Sequence, residues 1–286
     1  MSEQQHALHS DQLCTTNAHI RRSREFIQCL KGIWTEDKFT FKGDFYQVHH
    51  AVTLRYVPSL TRPQFHDYTL HPKPISREGR SHPEIFQGGN SVDAMENAAI
   101  ASDYYFMNGN TLEGFQSQIK DVRERAQREG RLNDVKFALN GFVIARETEE
   151  EAIRVLQEIQ GKADKEAVEG FRDQVLNAGA STSNKTGMWA NSKFEDLVQY
   201  NDGFKTKLIG TPEQISERIL LLKSLGVSIL LVAFLHYDDE IQKFGDQVLS
   251  LVRKKEAEGR GKDEAYEISL TGDVYRKRQP AEEVAK

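Results

Sequence analysis

The chain has 286 residues, 38% of them hydrophobic and 28% charged, which is ample for one large domain or two small ones. Its net charge of -5 and pI near 6.0 argue against nucleic acid or an anionic membrane as the main partner, since both need clustered Lys and Arg. Cys14 and Cys29 lie in no CxxC or Cys/His cluster, the N-terminus has no leader pattern, and no apolar run reaches the roughly 18 residues of a membrane span, so the expectation is a cytoplasmic protein without structural zinc or disulfides.

Residues 1–19 are polar and patternless and are expected to form a disordered tail. From Ile20, the apolar residues Phe26, Ile27, Leu30, Ile33 and Trp34 recur at helical spacing, with Arg21, Arg22, Arg24, Glu25 and Lys31 on the other face. Phe39–Val48 holds two β-prone runs around Lys42-Gly43-Asp44, which predicts a small hairpin. Residues 51–67, with two prolines and no sustained period, read as an insertion that extends neither element. The histidines in and around it (His49, His50, His66, His71 and His82) share no helical face and no ligand-pair spacing, so no metal site is expected.

The stretch His82–Asn110 reads as strand, turn, helix, strand, a βαβ unit. Ile85 and Phe86 lead into Gln87-Gly88-Gly89-Asn90-Ser91, and a helix bearing Met95, Ala98 and Ala99 precedes the strand Tyr104–Met107. Two glycines permit a tight turn and close approach of a ligand, and Asn90 or Ser91 can cap a helix whose free N–H groups face outward. The turn is therefore either an anion site or a plain βα turn with a good N-cap. Asn108-Gly109-Asn110 closes the second strand, and Thr111 opens a helix to about Gly130 with Phe115, Ile119 and Val122 inward.

Lys136–Ala145 is a third strand. Thr148–Glu151 opens a helix that Ala152, Val155, Leu156 and Ile159 carry to Gln160, and Val168–Ala178 is another helical piece. Residues 179–208 are long and polar yet contain Trp189, Phe194 and Tyr200, the composition of a functional lid or of a surface excursion anchored by aromatics. Thr211-Pro212-Glu213-Gln214 is a capping box with Pro at the first helical position. Val227–Phe234 is almost continuously apolar, as in a parallel strand covered on both faces. His236 and Tyr237 sit at its C-terminal end, a last helix runs from Glu240 to about Glu256, and residues 258–286 are charged and aperiodic, a second expected disordered tail.

Strands alternating with helices predict an α/β fold with a parallel sheet, its ligand site at the strands' C-terminal ends. Strands are countable near 84–87, 103–107, 136–145 and 227–234. Ile85–Ser91, Asp103–Gly109, Leu139–Ile144, Gly187–Ala190, Phe194–Asn201 and Leu208–Gln214 together resemble the bacterial-luciferase-like FMN-dependent monooxygenases. Within that family the sequence looks most like the dimethylsulfone monooxygenase branch, a relative of alkanesulfonate monooxygenase, over roughly residues 20–256 apart from 51–67.

The resemblance implies a TIM-type (β/α)8 barrel that takes reduced FMN from a separate flavin reductase and uses O2 to oxygenate a small organosulfur substrate with C–S cleavage. By position, Gly88, Gly89, Asn90 and Ser91 would hold the FMN phosphate, with Asn108 beside the cofactor. The loop from Gly187 to Lys207 would be the lid that excludes water. Lys205 and Lys207 would meet an anionic group of cofactor or substrate, and His236, with Tyr237 next to it, would donate or carry a proton. Where alkanesulfonate monooxygenases carry a pocket-facing Arg and His, this chain has Asn140 and Phe142, which favours a neutral sulfone over a charged sulfonate. Four βα units against the eight of a barrel lead to the expectation of the C-terminal half of such an enzyme, acting as a homo-oligomer. Other readings are a flavin or deazaflavin hydride-transfer oxidoreductase of the same superfamily, and a non-catalytic fragment or subunit completed by another chain.

Overall fold

The computed structural model describes residues 16–49, 53–57, 64–68, 73–75, 81–180, 192–259, 266–268 and 275–277. Helix α1 (Thr16–Thr35) begins before Ile20, so residues 16–19, read as tail, are helical instead. The polar first turn carries no apolar stripe to announce it, although nothing in it breaks a helix. The hairpin β1 (Phe41–Lys42) and β2 (Gln47–Val48) forms as expected. It is fastened to α1 by Glu25, whose carboxylate accepts the N–H groups of Asp44, Phe45 and Tyr46 at 3.0, 2.8 and 3.1 Å.

The stretch read as an aperiodic insertion contains two strands, β3 (Thr53–Val57) and β4 (Gln64–Tyr68), paired antiparallel with Thr53 opposite Tyr68. Pro58 and Pro63 fall outside both strand ranges in the sequence and lie outside the described residues. Among the described residues the pair joins no other sheet.

The βαβ unit is as predicted: β5 (Phe86–Gly88), α2 (Val92–Ala101) and β6 (Tyr104–Met107). Then come α3 (Leu112–Arg128), β7 (Lys136–Ala145), α4 (Glu149–Gly161) and α5 (Lys165–Ala180). After residues 181–191, which hold Trp189 and lie outside the described residues, follow α6 (Phe194–Leu197), a 3₁₀ turn at Gly203–Thr206 and β8 (Leu208–Gly210). Helix α7 (Pro212–Ser224) has both halves of its Thr211/Gln214 capping box. Strand β9 (Val227–Phe234) leads into α8 (Tyr237–Lys243), a π-helical turn at Phe244–Leu249 and α9 (Ser250–Ala257). Within residues 258–286, read as a disordered tail, β10 (Tyr266–Ile268) pairs antiparallel with β11 (Tyr275–Lys277). Runs of three residues are too short to show a period.

The parallel sheet has five strands rather than the four counted in the sequence, ordered β5-β6-β7-β8 with β9 also on β7. Three residues, Leu208–Gly210, make the extra strand against Val143–Ala145. Tyr105, Met107, Phe137, Leu139 and Val143 face α2, α3 and α7 and form the main core with Phe115, Val122, Ile215 and Leu222. Burying side chains of this size stabilises by about 1.5–3 kcal/mol each. Alternate residues of β7 point the other way, and Phe142 and Ile144 join Ala152 and Phe204 in a second cluster against Val155, Leu156 and Ile159 of α4.

Strand β9 departs from its expected double burial: Ser228 is exposed and Leu231 is 62% exposed. Among the described residues β7 is its one strand neighbour; Leu230 and Val232 pack on the main core, whereas on the other face Ala233 meets the second cluster and Leu231 is left open. A continuous apolar run cannot tell one covered face from two.

Candidate functional site

Because every strand of the sheet is parallel, the segments after β5, β6, β7 and β9 all leave at one end. The first of these is the Gly88–Ser91 turn. Gly89 has φ +119, a conformation L side chains rarely adopt, and a Cβ there would stand 2.7 Å from the Ala94 Cβ. A Cβ on Gly88 would meet only the Phe106 carbonyl at 3.7 Å, so that residue is exposed and open to approach. Ser91 is the N-cap of α2 and its Oγ accepts the Ala94 N–H at 3.2 Å.

Side chains from other elements fix the rest of the turn. The Tyr105 hydroxyl donates to the Gly89 carbonyl at 3.0 Å, and burial pushes that phenol well above the ordinary tyrosine range, so it stays a donor. Asn97, fully buried, donates to Gln87 Oε1 at 3.0 Å, while Gln87 Nε2 donates to the Gly88 carbonyl at 2.9 Å. Gln118 of α3 donates to Asn90 Oδ1 at 3.4 Å. The Gly88 and Gly89 carbonyls and the Ala94 N–H are thereby engaged, and the N-terminus of α2 beside the Asn90 amide is a setting that suits a phosphate.

Asn108 follows β6 and is half-buried on this same end of the sheet. Beyond it, the Gly109 N–H donates to Asp202 Oδ1 at 2.7 Å, and Asp202 is 2% exposed. The segment from Asp202 to Leu208 packs along β7 where β6 has ended. Phe204 lies edge-on to Phe142 with centroids 5.0 Å apart. The Thr206 hydroxyl donates to the Asn140 carbonyl at 2.7 Å, and the Thr206 carbonyl accepts from Arg218 Nε at 2.9 Å. Leu197, Phe204 and Thr206 are buried, so this end of the 179–208 stretch is anchored in the sheet. Asn140 itself is half-buried, and its Oδ1 is buried with no hydrogen-bond partner among the described residues.

Lys205 Nζ reaches Ser192 Oγ at 3.4 Å, and Lys207 is exposed in a left-handed conformation at φ 60. His236 is the exposed N-cap residue of α8. Its N–H and that of Leu235 donate to Glu240 Oε2 at 3.1 and 3.0 Å, while Glu240 Oε1 accepts from Arg146 at 2.8 Å. Tyr237 is exposed and lies edge-on to Phe234 at 5.9 Å. A cleft of about 490 Å³ lies between α4 and the end of β9, lined by Arg146, Val155, Glu158, Ile159, Lys162, Leu235 and His236. Of the sequence-predicted residues only His236 lines it; the Gly88–Ser91 turn, Asn108, Lys205, Lys207 and Tyr237 do not, so they are not brought together in this cleft. Among the described residues no group of His, Cys, Asp and Glu is disposed to hold a metal ion, and no helix is long and apolar enough to cross a membrane.

Residues 2–228 match the family described as luciferase-like monooxygenase. The chain belongs to that family. It is 54% identical over 240 residues to a Pseudomonas putida protein named FMNH(2)-dependent dimethylsulfone monooxygenase, covering 84% of this chain and 60% of that relative. A protein of the same name from Pseudomonas fluorescens (strain Pf0-1) is 50% identical over 237 residues, covering 83% and 58%. The chain therefore spans about 60% of the length of these relatives.

Among solved structures, long-chain alkane monooxygenase (LadA) superposes with a TM-score of 0.57 at 17% identity, covering 84% of this chain and 57% of that one. DmoA from Hyphomicrobium sulfonivorans gives 0.54 at 18% identity, covering 86% and 57%. At these identities the likeness fixes the fold: the five parallel strands are an arc of the luciferase-like barrel.

Tyr105, Gln118, Asp202 and Thr206 were not found from the sequence. Each acts on a residue 16 to 93 positions away, and separations of that kind leave no local pattern.

Proposed function

We propose that this chain serves the FMNH2-dependent oxygenation of a small, neutral organosulfur compound of the dimethylsulfone type, with C–S cleavage. A separate flavin reductase would supply the reduced FMN. The observation that carries this reading is the 54% identity, over 84% of the chain, to a relative named for that reaction. Two structural features support it. The Gly88–Ser91 turn offers N–H groups and an amide to a phosphate, and Asn140 places an uncharged, unpartnered amide oxygen on β7 where a charged side chain would suit a sulfonate.

In this reading Ser91 and Asn90 bind and orient the phosphate end of FMN, and Asn108 lies on the way towards the ring system. Reduced FMN supplies the electrons that activate O2. Phe142 and Phe204 keep water from the sheet end, and Asp202 and Thr206 hold the segment that carries Phe204. His236, exposed on the neighbouring cleft, delivers or removes a proton at its imidazole. The test is oxygen uptake by the purified chain with photoreduced FMN: uptake that depends on dimethylsulfone and not on methanesulfonate supports the proposal. Reduced-FMN oxidation at one rate with or without the sulfone contradicts it, and reduction of an added ketone without O2 would indicate hydride transfer instead.

A further inference from the structure

We propose that Gln118, on α3, is a positioning residue for the phosphate turn: it holds the Asn90 side chain by its oxygen so that the amide NH2 faces the bound anion. The inference rests on the reading of Gly88–Ser91 as a phosphate cradle and adds to it a residue from a different helix.

Three observations converge. Gln118 Nε2 donates to Asn90 Oδ1 at 3.4 Å across 28 residues of sequence. Gln118 Oε1 is buried and has no hydrogen-bond partner among the described residues. The Asn90 NH2 group likewise donates to no group among them, and Asn90 is only half-buried, at the mouth of the turn. The other groups of the turn are already committed: Ser91 Oγ to the Ala94 N–H and the Gly89 carbonyl to Tyr105.

A side-chain amide presents a donor on one branch and an acceptor on the other, and a Gln–Asn pair can be joined in either sense. In the sense seen here the Asn90 oxygen is turned inward and its donor outward. In the opposite sense Gln118 Oε1 would gain the partner it lacks, but Asn90 would present a carbonyl oxygen to the anion, which repels it. A buried orphan acceptor is unfavourable, so the observed sense needs a compensating interaction at the outward NH2. An anion seated beside the α2 N-terminus supplies it. Gln118 thus acts on the anion through Asn90 rather than by contact.

The phosphate isolates this role, because riboflavin is FMN without it. Fluorescence quenching gives the dissociation constants of oxidised FMN and riboflavin for the wild-type chain, Gln118→Met and Gln118→Glu, with thermal melts run alongside. Methionine keeps the length and apolar stem of Gln118 but frees Asn90 to turn. Glutamate accepts from the Asn90 NH2 and imposes the opposite sense. The expected result is an FMN affinity about tenfold weaker in Gln118→Met, a size typical of losing a hydrogen bond to a charged group. Riboflavin affinity stays within about twofold, and Gln118→Glu loses more than Gln118→Met. An unchanged FMN-to-riboflavin ratio in both variants overturns the proposal, and so does an equal loss for both compounds, which would make Gln118 merely structural. A wild-type chain that binds FMN no better than riboflavin, or binds neither, overturns the phosphate-cradle reading itself and this inference with it.

Discussion

Replacing Gly89 with alanine puts the account of the turn under direct strain. At φ +119 a non-glycine residue lies in a region whose occupation costs roughly 1–3 kcal/mol. The new Cβ would also stand 2.7 Å from the Ala94 Cβ, so the first turn of α2 must move away. That movement breaks the Ser91 to Ala94 cap, worth about 1 kcal/mol. Together these give a destabilisation of about 2–4 kcal/mol, or a fall in melting temperature on the order of 10 °C for a domain of this size. Gly88→Ala is the internal control. Its Cβ meets nothing closer than the Phe106 carbonyl at 3.7 Å, so stability should change by less than about 0.5 kcal/mol while FMN binding weakens. Thermal unfolding by circular dichroism and FMN titration on the two variants decide the matter. A Gly89→Ala chain as stable as the wild type and equally able to bind FMN would refute the reasoning.

Three further outcomes are expected. Phe204→Ala removes a ring that is 4% exposed and packed on Phe142, and should cost about 3–4 kcal/mol in urea unfolding; a loss under about 1 kcal/mol would mean that the segment is not anchored as described. Burial pushes the Glu25 carboxyl up, but the N–H groups of Phe45, Asp44 and Tyr46 and the charge of Arg21 together outweigh it, so its folded pKa lies below the ordinary value. Its contribution is therefore full at neutral pH and is lost as pH falls through that lowered pKa, so acid titration followed by amide exchange should show the β1–β2 hairpin loosening there, a step that is absent in Glu25→Gln. Glu240→Ala frees Arg146 and both N–H groups that the carboxylate accepts, so the Leu235 and His236 amides should exchange at least about tenfold faster with the sheet unaffected; unchanged exchange would show that Glu240 does not order the His236 loop.

The βαβ unit and the α7 start were legible because local chemistry dictates them: glycines at a turn, Ser91 and Thr211 as caps, Pro212 where no N–H is needed. The 51–67 region was misread because its two prolines dominate the pattern, although they fall between strands. Strand β8 was missed because three residues show no period, and the pairing that creates it comes from the far end of β7. On β9 the sequence reports that Leu231 is apolar, but whether a neighbour covers it is a property of the assembled sheet. The same division holds at the site. The Gly88–Ser91 turn could be named as a candidate from adjacent residues, whereas Tyr105 meets it through the β5–β6 pairing, Gln118 through the packing of α3, and Asp202 reaches Gly109 through the Asp202–Leu208 segment.

The central claim is that the Gly88–Ser91 turn seats the phosphate of FMN, and a crystal structure of the chain soaked with FMN tests it most directly. The account predicts the phosphate at the N-terminus of α2, within hydrogen-bonding distance of the Ser91 N–H and the Asn90 amide, with Gly88 facing it. Phosphate density in the cleft beside Arg146 and Lys162, with the turn unoccupied, would contradict it.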